Sequence, residues 1–231
     1  MEKHWRRVNV TDKECKWNKG LAFLFLSLFA FLGLGLEALL AFLIEPLIYG
    51  KTLNEFSSTE HILHWIITCI LWFITAFVLV MVAKKKLNFD IFSEKSSIGI
   101  KPWFLCFALL AISIVMSVIS WNGFKVVKEF QYHGWLNFIF QYLYYIFETG
   151  LFVLIIVFAQ EAGEIWFKKS TIPWGGILVS LTWGLAHIFT KGDLSIGLFA
   201  FLGGLLYGSI YIISKKNLYI AFPFILLMFI L

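Results

Sequence analysis

Charge is scarce in this chain. Only 14% of its 231 residues are Asp, Glu, Lys or Arg, against about 25% in an ordinary soluble domain. The charges that exist cluster between long apolar runs, which leaves no room for a second, soluble domain. Cysteine is also rare. Cys15 lies in the polar N-terminus and Cys69 and Cys106 in apolar runs, a spacing that excludes a disulfide framework and a cysteine zinc site. All three read as free thiols. No small-x-small cleavage site follows the first apolar run, and the polar stretch before it reaches from Met1 to Gly20. That excludes a cleaved signal peptide and leaves a retained signal anchor. There is no low-complexity linker and, beyond a weak Gly/Ala pattern, no internal repeat.

What is present is apolar. Hydrophobic residues make up 60% of the chain and the mean hydropathy is +0.85. A bilayer core of roughly 30 Å needs about 20 apolar residues as a helix, and several runs reach that length. The formal charge of +5 invites a nucleic-acid reading. The basic residues sit instead at the flanks of apolar runs, where orientation and anionic headgroups account for them. The lipid bilayer is the expected partner and nucleic acid is not.

The predicted fold is an all-α, polytopic transmembrane helix bundle of about seven spans. They cover 20–48, 62–83, 102–121, 135–167, 174–190, 194–213 and 217–231. Pro102 and Pro173 suit helix starts, where a missing N–H costs little. Glu45-Pro46 marks the end of the first span or a kink in it. The fourth segment exceeds one crossing, and the fifth and seventh are short. Lys and Arg in alternate loops divide 15 to 4. The rich side comprises the N-terminus, the 84–101 loop, Lys168 with Lys169, and Lys215 with Lys216. The poor side holds Lys51, Lys125, Lys128 and Lys191. The positive-inside rule then places the N-terminus in the cytoplasm and the C-terminus outside or within the outer leaflet. The expected locale is a bacterial plasma membrane.

Several polar residues fall where lipid is expected: Glu37, Gln141, Glu148, Gln160, Glu161, Glu164 and His187. An acidic side chain near mid-membrane costs about 2.5–3.5 kcal/mol on insertion scales, so each needs a partner, a proton or a water-filled cavity. Glu161 and Glu164 share a helix face, being three residues apart. Glu148 is roughly 20 Å along the same helix and on another face. With Glu37 it reads first as a carboxyl that joins helices. On the fifth span Ser180, Trp183, Gly184 and His187 form one stripe. On the sixth, Gly197, Ala200, Gly204, Gly208 and Tyr211 repeat at helical spacing. Small residues admit close backbones, so these two spans are expected to pair. A lone intramembrane His is more often structural than a ligand. The acidic pair on the neighbouring helix leaves a second reading open, in which Glu161, Glu164 and His187 bind a metal or polarise a water.

At these residues the sequence resembles the CPBP or Abi intramembrane proteins, which include CAAX-prenyl proteases and bacteriocin-processing or bacteriocin-immunity proteins. Gln160-Glu161-Ala162-Gly163-Glu164 resembles the family's Glu-Glu motif. Trp183-Gly184-Leu185-Ala186-His187 matches its aromatic-x-x-x-His motif. The Gly-rich span ending in Tyr207-Gly208 and the turn Lys216-Asn217-Leu218-Tyr219 resemble the approach to its third motif. The resemblance covers roughly 135–231. It implies a CAAX-protease-like core over 131–231, which follows the 1–19 cytoplasmic segment and the N-terminal spans over 20–130 expected from the charge count and the apolar runs.

It also implies an intramembrane peptidase in which Glu161 and His187 activate a water, with Gln160, Glu164 and Trp183 beside them. A divalent metal such as zinc, if bound, would sit among Glu161, Glu164 and His187. The implied partner is a membrane-associated peptide, prenylated or leader-type. The departures are specific. The family's first Glu is Gln160 here, its motif Arg falls at Ile165, and its last-helix His and Asn are missing. Two functions therefore stand side by side: a Glu/His-dependent hydrolase, and a non-catalytic immunity or scaffold protein that binds a peptide in the same place.

Overall fold

The computed structural model describes the backbone of residues 2–231 and the side chains from Lys16 onward. The expectation for Cys15 lies outside the described side chains, while Cys69 and Cys106 are free and buried. The described chain is all helix and contains no strand. Helix α1 covers residues 2–49. Its α-helical body, Glu2–Leu34, continues past Gly35 into Leu36–Leu39, a π-type turn at Leu40–Ile44 and a last turn at Glu45–Tyr49. Helices α2, Ser58–Leu87, and α3, Ile100–Trp121, follow. Helix α4 is Lys125–Phe167. Helix α5 covers residues 174–191 and carries a second π-type turn at Ser180–Gly184. Helices α6, Leu194–Ile213, and α7, Leu218–Ile230, complete the bundle. Among the described residues, five helices are long and apolar enough to cross a bilayer: α1 over Lys16–Tyr49, α2, α3, α4 and α6. The protein thus has the build of an integral membrane protein.

Local chemistry sets the boundaries. Ser57 and Glu60 cap α2 reciprocally, satisfying two otherwise orphaned N–H groups. Asn88 and Asn122 end α2 and α3 in the left-handed region, which Asn tolerates better than most residues. Gly134, at φ 68° and ψ 172°, breaks α4. The residues before it form a short helix, and the long run begins at Trp135, the predicted start of the fourth span. Pro46 does not end α1. The Glu45 N–H reaches back to the Leu40 carbonyl, and the wider turn carries the helix past a residue with no N–H to offer.

Helix α4 is the axis of the molecule. Every residue from Leu151 to Gln160 is buried, with α1, α2, α5 and α7 packed around it. Ser27 of α1 donates to the Ile155 carbonyl at 3.0 Å, and Trp72 of α2 donates to the Gly33 carbonyl at 3.0 Å. Lipid tails are as apolar as Leu, so such bonds and close contact hold the bundle rather than transfer from water. The expected pairing of α5 with α6 is present. A Cβ on Gly176 would lie 2.9 Å from the Gly208 Cα, and one on Gly204 would lie 3.0 Å from the Ser180 Cα. The Ser180 hydroxyl bonds the Phe201 carbonyl at 2.7 Å across that interface.

The last turn of α7 is tied down by side chains from two other helices. Ser113 donates to the Met228 carbonyl at 3.0 Å and Lys125 to that of Phe229 at 2.9 Å. Tyr142 donates to Ile230 at 3.4 Å and Ser117 to Leu231 at 3.3 Å. Lys125, counted from sequence as a loop cation, is therefore buried. Its ammonium lies 4.4 Å from the Tyr145 ring centroid and 4.6 Å from that of Phe229.

Candidate functional site

Of the polar residues singled out from sequence, Gln141 donates to Glu129 and Tyr145, and the others form two groups, one near the Phe167 end of α4 and one near its middle. The first gathers Gln160, Glu161 and Glu164 with Lys216 from the turn between α6 and α7. The Lys216 ammonium bonds Glu161 at 2.9 Å and Glu164 at 2.7 Å. It reaches them because Lys215 and Lys216 both adopt left-handed backbone, at φ 57° and 62°. Two such residues in succession are strained for L side chains. Lys215 and Asn217 stabilise the turn by donating to the carbonyls of Ser97 and Ser96. Burial disfavours the Lys216 ammonium, but its bonds to Glu164 and Glu161 outweigh that and hold it above its ordinary value. Gln160 is fully buried. It donates to Glu164 at 2.8 Å and to the Ile172 carbonyl at 3.0 Å, and accepts from the Gly175 N–H at 3.1 Å. Each member of this group is already bonded within it.

The second group forms around Glu148. Trp183 donates its indole N–H to Glu148 at 3.0 Å. Its ring packs on Phe152, with centroids 4.9 Å apart, and on His187 at 4.5 Å. The His187 Nδ1 lies 2.8 Å from the Trp183 carbonyl. A carbonyl can only accept, so Nδ1 carries the hydrogen, and Nε2 is the acceptor whenever the ring is neutral. Glu37 from α1 and Tyr144 complete the cluster, close enough to act electrostatically on one another and on Glu148. Glu37, Glu148 and His187 are each only half-buried. A carboxylate, a free imidazole nitrogen and aromatic walls at a partly open position can hold a polar group or move a proton.

The two groups do not meet. Helices α4 and α5 run antiparallel, with Gly175 against Gln160 and Trp183 against Phe152 and Glu148. His187 therefore lies at the level of Glu148, about 20 Å along α4 from Glu161 at 1.5 Å per residue. The expectation that Glu161 and His187 face each other is corrected by this register. The proposed ligand set of Glu161, Glu164 and His187 does not converge, and no group of three His, Cys, Asp or Glu able to hold a metal ion occurs among the described residues. The donors present do not fit a zinc site. Trp183 does stand beside His187 as expected, but its acidic partner is Glu148, which the sequence reading set apart.

A third buried pair went unnoticed in the sequence. Glu45 bonds the His64 Nδ1 at 2.7 Å, and both residues are 2% exposed. Its signal was available: Glu45 and His64 flank the loop joining two apolar runs, where two polar residues can reach each other.

Comparison with protein-family models, curated proteins and solved structures yields no match to this chain.

Proposed function

We propose that the chain is an integral membrane protein of the CPBP or Abi type, with seven spans and a CAAX-protease-like C-terminal core. In this reading its N-terminus is cytoplasmic in a bacterial plasma membrane. It binds a membrane-associated peptide beside Glu148 and His187 and hydrolyses it slowly or not at all. The ordered motifs over 135–231 support the family, and the Lys and Arg distribution supports the orientation. The observation that carries the weak-activity reading is Lys216. A carboxylate already neutralised by an ammonium at 2.9 Å is a poor general base, and Glu161 is the residue whose position resembles the family's base. The end of α7 adds to this, since residues 222–231 contain no polar side chain that could bond a developing oxyanion. Loss of one such donor typically costs about 10²–10³ in rate.

One observation favours a working peptidase. The indole of Trp183, on the helix that carries His187, holds the Glu148 carboxyl of α4, so Glu148 rather than Glu161 could act as base. Purified protein incubated with prenylated and leader-type peptides separates the two. The expected result is binding without appreciable turnover, with binding lost in Glu148→Gln and His187→Ala and kept in Glu161→Ala. Robust turnover lost in Glu148→Gln and His187→Ala establishes the peptidase. Turnover lost only in Glu161→Ala would discard the Glu148 site altogether.

A further inference from the structure

We infer that the Glu148–His187 site opens to the extracytoplasmic side and receives an amphipathic peptide lying in the outer leaflet; this rests on the peptide-binding reading and the orientation given above. Depth is the first argument. His187 lies four residues before Lys191, where α5 ends at the left-handed Gly192. It is therefore about 6 Å below the outer end of its helix. Lys125, the first residue of α4, folds back onto the Tyr145 ring at 4.4 Å, one turn from Glu148. Lys125 and Lys191 both act electrostatically on Glu148 and on His187. The site is thus bordered by the outer ends of two helices.

The inner side offers no comparable approach. Glu148 is 20 residues from Lys168, about 30 Å along the helix, which is the full thickness of a hydrocarbon core. Between them the chain from Leu151 to Gln160 is buried without interruption. A prenylated tail presented from the cytoplasm would meet the Lys216 group and that packed core, not Glu148.

The same depth defines the ligand. Amphipathic helices on a membrane bury their apolar face about 5–10 Å into the boundary between headgroups and acyl chains. A group about 6 Å below the helix end is within reach of such a peptide. The outer rim suits it, with Phe189 87% exposed and Leu194 63% exposed beside the end of α5. Polar side chains of the peptide would face Glu37, Glu148 and His187, all half-buried, while its apolar face stays in lipid and against that rim.

The test uses the full chain with Cys15, Cys69 and Cys106 replaced by Ser, carrying His187→Cys or, as a second reporter off the site, Thr190→Cys. An impermeant thiol reagent is applied to right-side-out and inverted vesicles. Both cysteines are expected to react about tenfold faster from the outside, and a synthetic Leu/Lys amphipathic peptide added outside should slow Thr190→Cys, which keeps His187 and lies one turn outward of it, at least about threefold. Faster reaction in inverted vesicles overturns outer access, yet leaves peptide binding to be judged by its loss in Glu148→Gln. Reaction of Thr190→Cys alone means the site is closed and overturns the inference. Outer access with no protection by the peptide overturns the amphipathic ligand.

Discussion

Replacing Lys216 by Met removes one charge and leaves two carboxylates facing each other. The three side chains are 25%, 20% and 19% exposed for Lys216, Glu161 and Glu164, between the surface and the core. Exposed ion pairs contribute about 0.2–1 kcal/mol, and removing one partner of a buried pair costs about 3–5 kcal/mol. The expected loss is about 2 kcal/mol, roughly 4–8 °C in Tm at 2–4 °C per kcal/mol for a chain of this size. Thermal unfolding in detergent measures it. The triple variant Lys216→Met, Glu161→Gln, Glu164→Gln should recover most of the loss, because it removes the uncompensated charge along with the lock. A single variant within about 0.5 kcal/mol of the parent, or a triple variant no better than the single, would refute the lock. The pH dependence has a definite sign. Lys216 is held above its usual 10.5, so its contribution is complete below about pH 10.5 and fades as pH rises through the higher folded value. Parent and Lys216→Met should therefore converge only in strong alkali.

Three further outcomes are expected. Gly204→Leu overfills the contact with Ser180 and should cost about 1–3 kcal/mol, read as reduced detergent stability; an unchanged midpoint would mean the α5–α6 pair is not formed. Glu45→Leu and His64→Leu should each cost about 3–5 kcal/mol by leaving a buried partner alone, while the double variant costs no more than either; additive losses in a double-mutant cycle would show that the two residues do not interact. Cysteines introduced at Lys95 and Lys128 should label from opposite sides of intact cells, and labelling of both from one side would sink the seven-span orientation.

Sequence reading succeeded where the information is local. Apolar runs gave the helix bodies, Pro102 and Pro173 fell at helix starts, and the Gly204–Gly208 spacing identified a close backbone approach that does occur. It failed where partners are brought together by register or by an unusual turn. Lys216 was a loop cation in the charge count, and only two left-handed residues in succession aim it at Glu161 and Glu164. Glu148 meets the Trp183–His187 helix only through the antiparallel register of α4 and α5, which spacing along one helix does not encode. Glu45 pairs with His64 across a loop of the chain, a partnership that the adjacent Pro46 does not signal. The π-type turn at 40–44 is signalled only by Pro46, and the one at 180–184 carries no recognisable local sequence signal. They arise where Pro46 removes a donor and where α5 adjusts to the close backbone of α6.

The four side-chain bonds at the end of α7 bear on how this protein assembles. The carbonyls of Met228, Phe229, Ile230 and Leu231 each take a side-chain donor from another helix. A polar side chain left without a partner among lipid tails is costly, so these bonds serve the donors as well as the carbonyls. The donors are Ser113 and Ser117 on α3 and Lys125 and Tyr142 on α4, all made earlier in synthesis. Helix α7 therefore docks on polar groups that stand earlier in the chain, with the buried Lys125 beside it.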